Sequence, residues 1–270
     1  MRNLAFRGLR LPRLGAMMRS GGFSPETLFA GGTGGAWYDP SDLSTLFQDS
    51  AGTTPVTASG QPVGLMFDKS GNGNHATQAI AAARPIYTEG SGLAWLAFDG
   101  VGDFMSVADV SGMRQSIMTF FIGVDPLSLL GREDWFASGD SRSYSTNNYV
   151  VGNSLSAFQT LGRTPATTVT QGSMTANTKV IVSERSDGTN INSRINGVAQ
   201  TTAALTLGTN DTSGFTLGAS NSGVRVTELA QMHSFANMNM YGLIVRGSTS
   251  SAAEIAATEA YLAAKSGVTL

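Results

Sequence analysis

The stretch FDKSGNGNHATQ, residues 67–78, gathers side chains that could do chemistry. Asp68, Ser70, Asn72 and Asn74 place oxygens at every second position, with Gly71 and Gly73 between them, and His75 follows. Alternate oxygens on a glycine-rich chain are how a loop wraps a hard cation. A helix-loop-helix calcium site also needs a bidentate Glu at its twelfth position, which here is Ala79, so that kind of site does not form. The same letters suit a tight connection, because Gly tolerates positive φ and Asn or Asp bonds its own backbone two residues on. The turn is the favoured reading, with a weak cation or a glycan contact as the alternative. Trp37, Tyr38, Asp68, Asn72, Asn74 and His75 are the candidate ligand-binding residues. No metal site and no cofactor are expected beyond weakly held calcium. His75 and His233 are the two histidines. With no second imidazole near it in sequence, His75 is expected to be a packed structural side chain.

Glycoside hydrolysis needs two carboxylates about the scissile bond, commonly at alternating positions of one strand. No E-x-D-x-x-E run occurs: Glu254 and Glu259 are five apart on a helical stretch, and Glu184 and Asp187 lie beside a hairpin turn. No G-x-S-x-G occurs, and two histidines leave little room for triad or zinc chemistry. The absence of cysteine removes disulfides, thiolate metal sites and thiol catalysis. No catalytic residue is assigned, and the chain is expected not to be an enzyme. A free polysaccharide-cleaving enzyme is the disfavoured alternative.

The elements that must position these residues are strands. At 270 residues the chain can bury a sizeable core, and charged residues make up only 13% of it, about half the usual share. A low-charge chain rich in Gly, Ser, Thr and Ala fits secreted or assembled β proteins. Short apolar runs alternate with turn signals: PVGLMFD, LAWLAFDG, DFMSV, SIMTFFIGVDP, NNYVVG, TKVIVSE, GFTLGAS and MNMYGLIVRG among them. This spacing predicts a sandwich or barrel. In NINSRINGV, Ile191, Ser193 and Ile195 share one face and Asn192 and Arg194 the other, with a hairpin turn at Asn196-Gly197. One helix is predicted at the C-terminus, where Ser251 and Glu254 have capping-box spacing, Lys265 falls in the last turn and Gly267 can provide the C-cap.

Residues 1–22 hold five arginines and no acid, so of the net charge of -2 they carry +5 and the remaining 248 residues carry -7. Arginine recurs too often here for the ~7–15 apolar residues of a signal peptide. The segment is read as a docking arm, with Arg2, Arg7, Arg10, Arg13 and Arg19 as carboxylate partners and Leu9 and Leu11, beside Leu4, Phe6 and Leu14, as apolar anchors. A solvated tail is the competing reading. Residues 23–35 form a Gly-rich linker and 36–270 the folded module. The acidic body gives no support for nucleic acid binding. No stretch approaches the ~20 apolar residues of a membrane span.

DKSGNGNHAT, LAFDGVGDFMSV, TKVIVSERSDGTNINSRINGVAQ and YGLIVRGSTSSAAEIAATEAYLAAKSGV, in that order, resemble the laminin-G-like, concanavalin-A-like jelly-roll modules over roughly residues 36–270. The resemblance implies an all-β, two-sheet antiparallel sandwich with an extended N-terminal arm and a short C-terminal helix. Its rim loops would be free to bind glycans, peptides or calcium. Where relatives commonly show two adjacent acids after FDG, this chain has Gly102 before Asp103, which weakens a calcium role there. WYDPSDLSTLFQDSAGTTPVT is similar to segments of tailed-bacteriophage and prophage structural proteins that carry this module. What this implies is a virion protein on the particle exterior, made in the host cytoplasm, at the tail tip or fibre. It would contact a host-surface glycan, join other virion proteins through the arm and form a homo-oligomer. A capsid decoration protein is the alternative.

Overall fold

The computed structural model describes residues 22–108, 110, 113, 117–138, 149–163, 166–205, 214–221 and 232–270. The arm positions Arg2, Arg7, Leu9, Arg10, Leu11, Arg13 and Arg19 lie outside the described residues. Runs rich in β-branched and aromatic residues fit a pleated, half-buried surface and form strands. In chain order these are β1 (Gly35–Tyr38), β2 (Leu46–Phe47), β3 (Leu65–Met66), β4 (Ala76–Thr77), β5 (Ile86–Gly90), β6 (Leu93–Asp99), β7 (Met105–Ala108), β8 (Ile117–Pro126), β9 (Arg132–Ser138) and β10 (Tyr149–Ser154). They continue as β11 (Ala157–Arg163), β12 (Ala166–Ser173), β13 (Val180–Asp187), β14 (Asn190–Ile195), β15 (Val198–Ala199), β16 (Ala203–Ala204), β17 (Gly214–Leu217), β18 (Ser220–Asn221), β19 (Met232–His233) and β20 (Asn237–Arg246). Helix α1 (Ala252–Ser266) follows.

The strands form two large antiparallel sheets. The first runs β15-β14-β13-β8-β20-β6-β5, with β1 beside the second half of β20 and β16 beside β14. The second runs β12-β11-β10-β9-β17-β7-β4-β3-β2. Their inner faces meet in one apolar layer, where Phe120 of β8 lies 5.1 Å from Phe136 of β9 and Phe136 lies 5.0 Å from Phe215 of β17. This is the two-sheet antiparallel sandwich with a C-terminal helix that the resemblance implies, where the strand pattern alone left a sandwich or a barrel.

The outer face of the first sheet is partly covered. Leu262 and Ala263 of α1 pack on Phe121, Ile181 and Ile244. Full burial of a leucine contributes roughly 2 kcal/mol. The backbone beneath must be bare for the helix to sit this low, since a Cβ on Gly242 would stand 2.9 Å from Leu262 Cδ2. The predicted caps are in place: Ser251 and Glu254 form the capping box, and Gly267 takes the left-handed C-cap at φ 73°. Asn196 and Gly197 both have positive φ, as a two-residue type I′ hairpin turn requires. Part of the segment read as a linker is packed, because residues 25–29 form a 3-10 turn that buries Leu28 and Phe29 beside α1.

Candidate functional site

The glycine and asparagine loop after β3 holds β1 in place. Asp68 Oδ1 accepts from the Trp37 backbone N–H at 2.9 Å and from Ser70 N–H at 2.8 Å, and its Oδ2 accepts from Ser70 Oγ at 2.7 Å and Asn74 N–H at 3.0 Å. The Asn72 and Asn74 amides both donate to the Gly35 carbonyl, at 3.1 and 2.7 Å. Gly35 itself is confined, since a Cβ there would stand 2.1 Å from Val245 O. Gly71 and Gly73 supply the positive φ angles of the loop, 87° and 77°. His75 is exposed rather than packed inside; its Nδ1 accepts from Asp68 N–H at 3.1 Å, and its ring lies 4.7 Å from Phe67.

Trp37 and Tyr38 do not share a site. Neighbours on a strand point to opposite faces. Tyr38 turns inward, fully buried, and its hydroxyl donates to the Asn74 carbonyl. Trp37 turns outward under α1, 7% exposed, with Tyr261 at 6.0 Å edge-on and Lys69 Nζ 4.7 Å over its ring. Asp39 accepts from Tyr261 and Lys265 of the helix at 2.8 and 2.9 Å. Burial works upward on this carboxyl, but the bonds from Ser41, Lys265 and Tyr261 outweigh it and hold its pKa low. These residues lock β1 to α1. Among the described residues no three His, Cys, Asp or Glu gather as a metal set.

A different constellation lies on the same outer face, on β6, β20 and β8. In β6 the alternation sends Ala94, Leu96 and Phe98 into the core and Leu93, Trp95 and Ala97 outward. Register then builds a row: Asn239 of β20 stands opposite Ala97 on one side and Asp125 of β8 on the other. Lys179, the residue before β13, comes alongside Asp125 because Val180 pairs with Val124. In the adjoining row half-buried Trp95 packs on Tyr241 with ring centroids 5.5 Å apart, and Lys179 Nζ lies 5.0 Å over the Tyr241 ring.

Asp125 gives this platform its polarity. Its Oδ1 is buried without a hydrogen-bond partner, whereas Asn239 bonds the carboxylate. Burial raises its pKa, and Lys179 and Asn239 pull the other way. Burial, followed by the charge of Asp125, pushes the Tyr241 hydroxyl up to about 12, so it stays a donor at neutral pH. The half-buried Trp95 thus lies over Tyr241, which is itself 2% exposed beneath Trp95 and Lys179, with Asp125 and Asn239 in the adjoining row. The sequence analysis singled out none of these residues. The signal was present in the alternation of LAWLAFD, which places Trp95 opposite Leu96 and Phe98.

The sequence matches no protein-family model and no curated protein. Similar folds occur among solved structures. A GH54 α-L-arabinofuranosidase soaked with a cyclic sulfate inhibitor superposes with a TM-score of 0.61 at 13% identity, covering 90% of this chain and 66% of that one. The botulinum neurotoxin type G receptor-binding domain gives 0.52 at 10% identity, covering 73% of this chain and 48% of that one. Trypanosoma rangeli sialidase in complex with 2,3-difluorosialic acid gives 0.52 at 17% identity, covering 79% of this chain and 32% of that one. The chain thus spans about half the length of the toxin domain and a third of the sialidase. These likenesses establish the fold. They also correct the expectation that the chain is not an enzyme, since glycosidases share this architecture. The physical reason is that two carboxylates need to meet only in space, and the lack of an E-x-D-x-x-E run on one strand does not bear on that.

Proposed function

We propose that the protein is a carbohydrate-binding β-sandwich and that a saccharide docks on the platform of Trp95, Tyr241, Asp125, Asn239 and Lys179. The observation that carries this reading is the half-buried Trp95 ring on the outer face of the first sheet, packed on Tyr241 with Lys179 Nζ over that ring. The negative face of an aromatic ring attracts the C–H face of a pyranose, and a few fixed polar groups then orient its hydroxyls. Lys179 and Asn239, each only partly buried, are such groups. The similar folds named for a receptor-binding domain, a sialidase and an arabinofuranosidase support a saccharide as the ligand class. A glycan array identifies a ligand, and calorimetry then compares the wild type with Trp95→Ala. We expect at least a tenfold loss of affinity, about 1.4 kcal/mol. Unchanged affinity overturns the assignment.

Within that reading the chain is a virion protein of a tailed bacteriophage, at the tail tip or fibre, binding a host-surface glycan from the particle exterior. Its support is the similarity of WYDPSDLSTLFQDSAGTTPVT to segments of such proteins. A second reading is a capsid decoration protein that uses the same fold for adhesion or shell stability, and the low-charge, small-residue composition fits an assembled β protein. In either setting the arginine arm joins neighbouring subunits. Deleting residues 1–22 is expected to leave the protein folded and soluble yet absent from particles. Normal incorporation of the truncated protein refutes the docking role.

A further inference from the structure

On the same outer face, at the other end of β8, the β13–β14 hairpin and the start of α1 enclose a cleft of about 210 Å³ lined by Thr119, Arg185, Asn192, Gln200, Thr202 and Ile255 among others. Arg185 stands out in it. Four other arginines have an acceptor: Arg84 bonds the Gln78 and Ala79 carbonyls, Arg132 bonds Asp134, Arg194 bonds Glu259, and Arg246 bonds Glu254 through Nη1, although its own Nε is buried without a partner. Arg185 has none, and its Nε is buried. A buried donor without an acceptor carries a desolvation cost that some partner normally offsets. The nearby carboxylates cannot serve. Glu259 is bonded to Ser183 and Arg194, Glu254 to Arg246 and Ser251, and the Glu184 side chain turns into the core toward Tyr149 and Thr160.

A second donor in the cleft is the Asn192 amide, while Gln200 donates its Nε2–H to the Val198 carbonyl. Asn192 lies directly across from Arg185 in the strand register, and its Oδ1 is occupied by Thr202 Oγ1 at 2.9 Å, which leaves its NH2 directed elsewhere. Thr119 and Ser183 are already engaged, with the Ser248 carbonyl and with Glu259. The cleft therefore offers a planar guanidinium and an amide NH2, with no uncommitted acceptor charge beside them. Arginine's fork matches the two oxygens of an oxyanion.

We propose that this cleft is an oxyanion site, taking a carboxylate or sulfate group. The two sources of that chemistry are an acidic saccharide and a free inorganic anion. Thr119 and Asp125 are six residues apart on β8, about 20 Å at strand spacing, so the site is separate from the aromatic platform.

The test follows the Arg185 Nε–H resonance of the full-length protein by NMR, assigned by its loss in Arg185→Gln. Three titrants are used: sodium sulfate, a uronic-acid oligosaccharide and its carboxyl-reduced neutral counterpart. The expected result is a saturable shift with sulfate or the uronic-acid ligand and none with the neutral one. A shift with the oligosaccharide at tenfold lower concentration than sulfate assigns a saccharide, and equal concentrations assign a free anion. Arg185→Lys keeps the charge but loses the fork, and it is expected to weaken binding about tenfold. No shift with either anion in the wild type, or an equal shift with the neutral ligand, overturns the proposal. Because Trp95 is remote, loss of glycan binding in Trp95→Ala with an intact Arg185 titration, or the reverse, separates the two sites.

Discussion

Both carboxylate oxygens of Asp68 are taken by donors of its own fold, from Trp37, Ser70 and Asn74. That makes the residue a clamp for β1, and removing it leaves several donors without an acceptor. Asp68→Ala is expected to cost about 3 kcal/mol in urea unfolding, because each donor stranded in a buried setting costs roughly 1–3 kcal/mol. A chelator is expected to leave the melting temperature of the wild type unchanged; a fall of several degrees would mean that a cation holds the loop. The turn was legible in the alternation of Gly with Asn, which demands positive φ and local side-chain bonds. Trp37 and Tyr38 were not separable in the sequence, since adjacent aromatics look alike until a strand sends them to opposite faces. Trp95 and Asp125 were hidden for the related reason that an apolar run does not announce which of its faces is bare.

The helix was the most legible element, because its signals are local. Ser251 accepts from Glu254 N–H at 3.2 Å and Glu254 Oε2 accepts from Ser251 N–H at 2.7 Å, as the spacing requires. Ser251→Ala is expected to destabilise the protein by about 1 kcal/mol in urea unfolding. A change below a few tenths would mean that Arg246, which also holds Glu254 at 2.9 Å, anchors this end alone. The Asn196-Gly197 hairpin was equally readable. Strand partners were not. β8 pairs with β20 across more than a hundred residues. Such pairings are set by which apolar faces can be buried together, a property that no single run carries. The rows that bring Asn239, Asp125 and Lys179 together depend on those non-local registers and so emerge only with the fold.

Across the whole molecule, the contact between the two sheets includes a buried acid. Glu184 of β13 accepts from Tyr149, Thr160 and Ser193, and burial pushes its carboxyl up to about 7 from an ordinary 4.5. Below about pH 4.5 folded and unfolded chains both hold this proton. Between there and pH 7 the unfolded chain releases it first, so this group's contribution to stability falls as pH rises, then levels off. A rise of that size corresponds to roughly 3 kcal/mol. The stability of the wild type minus that of Glu184→Gln, measured by urea unfolding, is expected to fall by about that amount across this window; a flat difference would show that the three donors compensate for the burial. Whether a saccharide binds the outer face of the first sheet at Trp95 can be read from the three tryptophans. Trp37 and Trp135 are 7% and 0% exposed, whereas Trp95 is half-buried at the platform. In an NMR titration with a glycan selected on the array, the indole N–H of Trp95 alone is expected to shift and saturate. A shift at Trp37 in place of Trp95, or a bound glycan that moves none of the three, would contradict it.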